Sequence, residues 1–284
     1  MGHLKIFIKL TRLNRPIGYM LLFWPCAWGL AFAYNYSGDT NLYTKYLILF
    51  FLGSILMRSA GCVFNDIVDK DFDKKVKRTK RRPIAAGQIS VVQSLGYVFS
   101  LCFFSFLILI QFNFLTILLG MGSMLLAFTY PFMKRITYWP QLFLGLTFNW
   151  GIIMAYTAML NEVSIEIVLM YLAAIFWTLG YDTIYGTQDM VDDEIIGLKS
   201  TAIKFKKHLN LFVIINYLMF SILIIFLFLE SFGKNIFSAL IVLFIFTLIY
   251  QIKKFNKRDP QSCLYSFRLN NLTGFLLFLS INLI

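Results

Sequence analysis

The sequence predicts an all-α integral membrane protein with nine transmembrane helices and a cytoplasmic N-terminus, and three observations lead there. First, 59% of the 284 residues are hydrophobic and 14% are charged, more apolar surface than one soluble core of this length can hide. Second, the chain falls into nine apolar segments. Third, the loops between them alternate between basic and nearly uncharged.

The segments at 16–36, 91–112 and 165–185 carry almost no charge and are long enough to cross about 30 Å of hydrocarbon as helices. Six more read as spans: 46–64, 114–130, 140–160, 209–229, 235–252 and 269–284. The thirty-one Phe and fifteen Tyr residues belong mostly to lipid-facing and interfacial surface. The net charge of +12 does not mark a nucleic-acid binder, because the basic residues are spread over loops and form no single stripe.

Those loops give the orientation. Of the 26 basic residues, all but Lys45, Arg58 and Lys234 lie before the first span or after spans two, four, six and eight. The positive-inside rule places that side in the cytoplasm. The four cysteines form no CxxC pair, and two histidines are too few for a histidine-based zinc site. No small-residue cleavage site follows the first apolar segment, and the N-terminus is not an Arg- and Ser-rich transit peptide. The expected home is therefore a bacterial cytoplasmic (inner) membrane, crossed several times.

The longest polar stretches, 66–88 and 187–207, both fall on the cytoplasmic side. Each follows an acidic span end with lysines and arginines, a weak repeat that predicts a single domain of two similar halves, roughly 1–130 and 131–284, facing a shared cavity.

The first stretch contains Asn65, Asp66, Asp69, Asp71 and Asp73. If the helix runs on, a rotation of about 100° per residue gathers Asn65, Asp66, Asp69 and Asp73 within an arc of roughly 100° and turns Asp71 away. Carboxylates packed on one face at a membrane boundary repel one another and need a cation. Hard oxygen donors suit Mg²⁺ or Ca²⁺. Lys70, Asp71, Lys74 and Lys75 read as a solvated loop.

In the second stretch, continued helical rotation would place Asp182, Asp189 and Asp193 within about 40° of one another. Gly186 is positioned to break that register. Asp182 lies inside an apolar run, where an unpaired charge is costly; a hydrogen bond to a neighbouring helix and metal ligation are both open to it. Two acidic clusters on one membrane face, each followed by cations, make a site for a di- or triphosphate bridged by metal. Arg78 and Arg82, at i,i+4, offer guanidinium forks to phosphate, while Lys77 and Lys80 fit plain loop charge. The Tyr130–Pro131 span end delivers Tyr130, Lys134 and Arg135 to the same surface. A secondary transporter is the rival from another class, but its ionisable residues belong near the midplane and not at span ends.

Together these residues resemble the 4-hydroxybenzoate polyprenyltransferases of the UbiA superfamily of intramembrane prenyltransferases. The resemblance covers nearly the whole chain. It is carried by Arg15-Pro16-Ile17-Gly18 with Trp24-Pro25, the segment 56–62, the NDxxDxxxD motif from Asn65 to Asp73, Lys77-Arg78-Thr79 with Arg82-Pro83, the run 130–135, Tyr181-Asp182-Thr183 and the segment 196–202. It implies a nine-helix bundle around a central cavity that opens sideways to membrane lipid, and transfer of a polyprenyl group from a polyprenyl diphosphate to 4-hydroxybenzoate in ubiquinone biosynthesis. The cofactor it implies is Mg²⁺. By position, Asn65, Asp69 and Asp73 would serve one ion, with Asp66 on the same face, and Asp189 and Asp193 the other. Of these, Asp69, Asp73, Asp189 and Asp193 are the implied catalytic acids. Arg78, Arg82, Tyr130, Lys134 and Tyr185 would contact diphosphate. Arg135 would take the aromatic carboxylate, with the buried Arg58 as the other candidate. Other acceptors within the superfamily, namely homogentisate, dihydroxynaphthoate or haem, remain the serious alternative.

Overall fold

A computed structural model of the chain describes every residue except Met1, Lys77 and Lys234, and Asn235 by its backbone alone. Lys77 and Lys234, two of the loop cations above, lie outside the described residues. Among those residues there is helix and no strand.

An amphipathic helix α1 (His3–Thr11) precedes α2 (Ile17–Ser37) and α3 (Thr40–Val68). A short α4 (Lys70–Asp73) leads through a loop to α5 (Val91–Leu109) and α6 (Phe114–Thr129), then a 3₁₀ turn (Tyr130–Phe132) and α7 (Met133–Ile136). Next come α8 (Pro140–Asn149), α9 (Gly151–Leu160), α10 (Ile165–Gly186), α11 (Met190–Ile195) and α12 (Thr201–Lys204). The chain finishes with α13 (Leu209–Leu227), α14 (Asn235–Lys254), α15 (Pro260–Arg268) and α16 (Asn270–Asn282).

Among the described residues, eight helices are long and apolar enough to cross a membrane. The ninth expected span, 269–284, is represented by α16, whose 13 residues reach only about 20 Å. The second span is longer than its apolar window. Asp39 caps α3 by accepting a hydrogen bond from the Leu42 amide, so the helix starts at Thr40, six residues before the sequence window. The span expected over 140–160 is present from Pro140 to Leu160; α8 and α9 meet within it at Trp150, whose backbone stays in the right-handed helical region. There the Asn149 side chain donates to the carbonyls of Gly145 and Ala174, and the Cβ that Gly151 lacks would stand 2.4 Å from Cys26 Sγ.

Burial separates inner helices from outer ones. In the most apolar window of α10, 72% of residues are buried inside the protein, against 11% for α5; α10 is therefore central, and α5 presents Val92, Leu95 and Phe104 outward. Around α10, the rings of Trp28 and Trp177 lie 5.0 Å apart, and Phe220 packs against both. Polar side chains register the neighbouring helices. Gln251 accepts from Tyr217 and Asn270 and donates to Thr273, while Trp177 donates to Asn270. In hydrocarbon such groups need partners inside the protein.

At Gly29, α2 packs closely on α9. A Cβ on Gly29 would stand 2.3 Å from the Ile152 carbonyl oxygen, so any side chain there forces the two helices apart. Gly29→Ala should cost about 1–3 kcal/mol, whereas Gly53→Ala, which meets nothing within 4 Å, should be neutral or better. Thermal unfolding in detergent compares the two; equal midpoints would rule out the close approach.

Candidate functional site: a charged cavity between the helices

The α3 backbone carries the first acidic cluster in nearly continuous register. The Asp69 amide bonds to the Asn65 carbonyl, and the Asp73 amide to the Asp69 carbonyl. That geometry buries Asp66, Asp69 and Asp73 together and leaves the Asp71 carboxylate outside, paired with Lys74. The face expected from helical rotation is thus present.

Cations from distant parts of the chain neutralise it. Arg12, at the end of α1, donates to Asp66 Oδ1 at 2.7 Å. Arg82 Nη1 bridges Asp66 at 3.0 Å and Asp73 at 2.8 Å. Asp69 accepts from Asn65 Nδ2 at 3.0 Å and from Lys134 Nζ, and Arg135 Nη2 lies 3.5 Å from its other oxygen. Burial, together with the charges of Asp66 and Asp69, pushes the Asp73 carboxyl above its ordinary value against the pull of Arg82.

The second cluster departs from the expected register. Beyond Gly186 the chain makes turns, with the Asp189 amide on the Gly186 carbonyl, before α11 begins at Met190. Continuous rotation therefore fails, since a glycine followed by tight turns does not carry helix phase across. Asp182, Asp189 and Asp193 still line the same cavity, and Asp192 does not. Arg78 grips Asp189 with Nε at 2.6 Å and with Nη2, and its guanidinium lies 5.9 Å from the centre of the Tyr185 ring. Burial raises the Asp193 carboxyl to about 6; the neighbouring Asp189 adds to the rise, and Lys134 and Arg78 oppose it.

Both clusters open into one cavity of about 1470 Å³. Asn65, Arg82, Tyr130, Lys134 and Tyr185 line its polar end. Its remaining wall is largely apolar, with Phe103, Phe106, Phe112 and Met121 among the contributors. Arg58 and Asp182 face this space too. Asp182 makes neither a hydrogen bond nor an ion pair among the described residues, so the helix-to-helix bond open to it from the sequence is not formed; the charge it faces is that of Arg58. Arg58 lies against the Phe148 ring, 5.3 Å from its centre, and its buried Nε has no hydrogen-bond partner.

Arg135 is placed elsewhere. It is absent from the cavity lining, donates to the Val68 carbonyl at 2.7 Å and is held between the rings of Phe72 and Phe132. That position ties Arg135 to the end of α3. Conversely, sequence reasoning gave Arg12 only a topological role. No spacing links it to an aspartate 54 positions away, and only the fold brings the two together.

The donor set was weighed against a divalent cation. Among the described residues, no three acidic, Cys or His side chains converge closely enough to hold a metal unaided; Asp66, Asp69, Asp73 and Asp189 are instead engaged by Arg12, Lys134, Arg82 and Arg78. Mg²⁺ commonly uses one or two carboxylates and completes its shell with phosphate oxygens and water. The adjoining Asn65 and Asp69, and Asp189 and Asp193 one turn apart, fit that requirement once a phosphate supplies the remaining oxygens.

Comparison with known proteins agrees with this architecture. The chain is 48% identical over 203 residues to the mitochondrial 4-hydroxybenzoate polyprenyltransferase of Caenorhabditis elegans, covering 71% of this chain and 56% of that one. It is equally 48% identical to the protein of the same name from Homo sapiens, over 71% and 54% of the two chains. The chain thus spans about half the length of these curated relatives. With the 4-hydroxybenzoate octaprenyltransferase of Aliivibrio fischeri it is 41% identical, over 99% of this chain and 97% of that one. Among solved structures, the apo form of a UbiA homolog from Aeropyrum pernix K1 superposes with a TM-score of 0.77 at 24% identity, over 94% and 98% of the chains. A UbiA homolog from Archaeoglobus fulgidus bound to GPP and Mg²⁺ gives 0.71 at 18%, over 98% and 100%. With residues 22–279 matching the model of the UbiA prenyltransferase family, on a fold that gathers two acidic clusters into one intramembrane cavity, the chain belongs to that family.

Proposed function

We propose that this chain is an aromatic polyprenyltransferase, which moves the polyprenyl group of a polyprenyl diphosphate to the ring carbon ortho to the hydroxyl of 4-hydroxybenzoate, as a step of ubiquinone biosynthesis. The observation that carries this reading is the single cavity that joins a charged end, built for a metal-bound diphosphate, to an apolar bore. The names of the relatives support the donor and the acceptor.

In this reading Asn65, Asp69 and Asp73, with Asp66 beside them, would hold one Mg²⁺, and Asp189 and Asp193 would hold the other. The bound ions supply positive charge to the leaving diphosphate. Arg78, Arg82 and Lys134 donate to its oxygens, exchanging the aspartates they now hold for phosphate, and the hydroxyls of Tyr130 and Tyr185 add neutral donors. As the allylic C–O bond breaks, its electron pair leaves with the diphosphate; the Phe-lined bore keeps water from the carbocation-like centre. Arg58 holds the acceptor's carboxylate and aims the carbon beside its hydroxyl at that centre. An electron pair of the ring forms the new C–C bond, and the ring proton passes to an oxygen base, an aspartate or the diphosphate itself. Arg135 supports the site by fixing Val68 and Asp69.

The same proposal places the protein in the inner membrane of a bacterium, in contact with lipid, as two similar halves of one domain. The N-terminus is cytoplasmic and α16 completes a ninth crossing. The excess of Lys and Arg on one set of loops supports this orientation.

The direct test incubates membranes containing the protein with Mg²⁺, a polyprenyl diphosphate and a panel of aromatic acids, and identifies the products by mass spectrometry. Prenylated 4-hydroxybenzoate should dominate; prenylated homogentisate or dihydroxynaphthoate in its place would reassign the acceptor. Asp69→Asn and Asp189→Asn should each lower kcat by about 10²–10³-fold, and near-normal turnover in both would sink the two-metal site. Arg58→Ala should raise KM for 4-hydroxybenzoate by roughly tenfold or more, the loss of a charge-assisted pair, with little change for the donor. Arg135→Ala should lower kcat and leave the acceptor KM unchanged; the reverse pattern would return the carboxylate site to Arg135.

A further inference from the structure

Gly18 stands in the first turn of α2, where nothing in the backbone calls for glycine. It is not among the glycines with positive φ, and alanine is a far stronger helix former at such a position. The one local consequence of its missing side chain concerns Arg58. A Cβ built on Gly18 would stand 2.9 Å from Arg58 Nε, 3.6 Å from Nη2 and 3.7 Å from Cζ, and these are the three nearest atoms.

The Arg58 guanidinium thus brings its Nε edge up to the bare backbone of α2 and lies near the Phe148 ring. Its Nε is shut away there without a hydrogen-bond partner. No hydrogen bond or ion pair engages its Nη atoms among the described residues, and both Arg58 and Gly18 line the cavity. A planar fork with its Nε edge seated against α2 and its two Nη groups uncommitted matches the two oxygens of a carboxylate.

We propose that Gly18 is a positioning residue for the acceptor: by having no side chain it lets the Nε edge of the Arg58 guanidinium close against α2, and so sets where the carboxylate of the aromatic acid is held. This rests on the reading of Arg58 as the acceptor's carboxylate site. Asp182 defines the alternative position. A guanidinium displaced from α2 moves toward an unpaired acid in the same cavity, and a salt bridge between them would withdraw the fork from the substrate.

The test compares Gly18→Ala and Gly18→Ser with the unmodified protein. Acceptor KM should rise by on the order of tenfold or more, the scale expected for a misplaced binding group, while KM for the prenyl diphosphate stays unchanged. In an Arg58→Ala background the Gly18→Ala change should have no further effect on acceptor KM, since contacting residues show their interaction as non-additivity. Binding is also read without turnover, as the rise in unfolding midpoint that 4-hydroxybenzoate gives the detergent-solubilised protein; Gly18→Ala should shrink that rise and leave the ligand-free midpoint intact. Equal loss for both substrates, or a Gly18→Ala effect that persists without Arg58, overturns the positioning role. A silent Gly18→Ala beside an impaired Arg58→Ala also overturns it and leaves the carboxylate site standing. If Arg58→Ala leaves the acceptor KM unchanged, the carboxylate site itself is wrong.

Discussion

Everything at the charged end of this protein depends on neutralising three buried aspartates at the edge of the membrane. Asp66, Asp69 and Asp73 are almost fully removed from solvent, and removing one partner from such a pair typically costs about 3–5 kcal/mol because it strands the other charge. The cations that meet this requirement come from α1, from the loop after α4 and from α7. The ion pairs therefore tie four separate parts of the chain over one end of the cavity.

In the proposed function the same pairs would be exchanged for contacts with the ligand. Each cation that would bind phosphate is held by a carboxylate that would bind metal: Lys134 by Asp69, Arg82 by Asp73, Arg78 by Asp189. A diphosphate arriving with divalent cations offers both sets new partners of the opposite sign. The exchange keeps the buried charges compensated throughout, and the side chains are already in place when it happens.

Away from that end, the bundle is held by packing and by satisfied polar groups. Lipid gives helices little hydrophobic reason to associate, so close backbone contacts such as Gly29 on Ile152 and polar contacts such as those of Gln251 carry the specificity of assembly. They surround α10, which brings Asp182 and Tyr185 to the cavity, while α5 keeps an apolar face outward. Rigid inner helices and a lipid-facing outer layer together make a cavity that is charged at one end and oily along its length.

Composition and apolar segment length determined the class of this protein, because a bilayer imposes a helix length and a charge pattern that are written locally in sequence. The Asn65 to Asp73 face was equally legible, since consecutive helical turns fix which residues share a side. What lay beyond the sequence was everything that depends on chain segments meeting: the pairing of Arg12 with Asp66, the loss of helical phase after Gly186 and the placement of Arg135 outside the cavity. As sequence, Arg135 beside Lys134 at a span end stood as the carboxylate candidate, and Arg58 inside an apolar span came second. Only the packing of α2 and Phe148 around Arg58, and of Val68, Phe72 and Phe132 around Arg135, decided which of them faces the cavity, because side-chain direction is set by neighbours that no local pattern records.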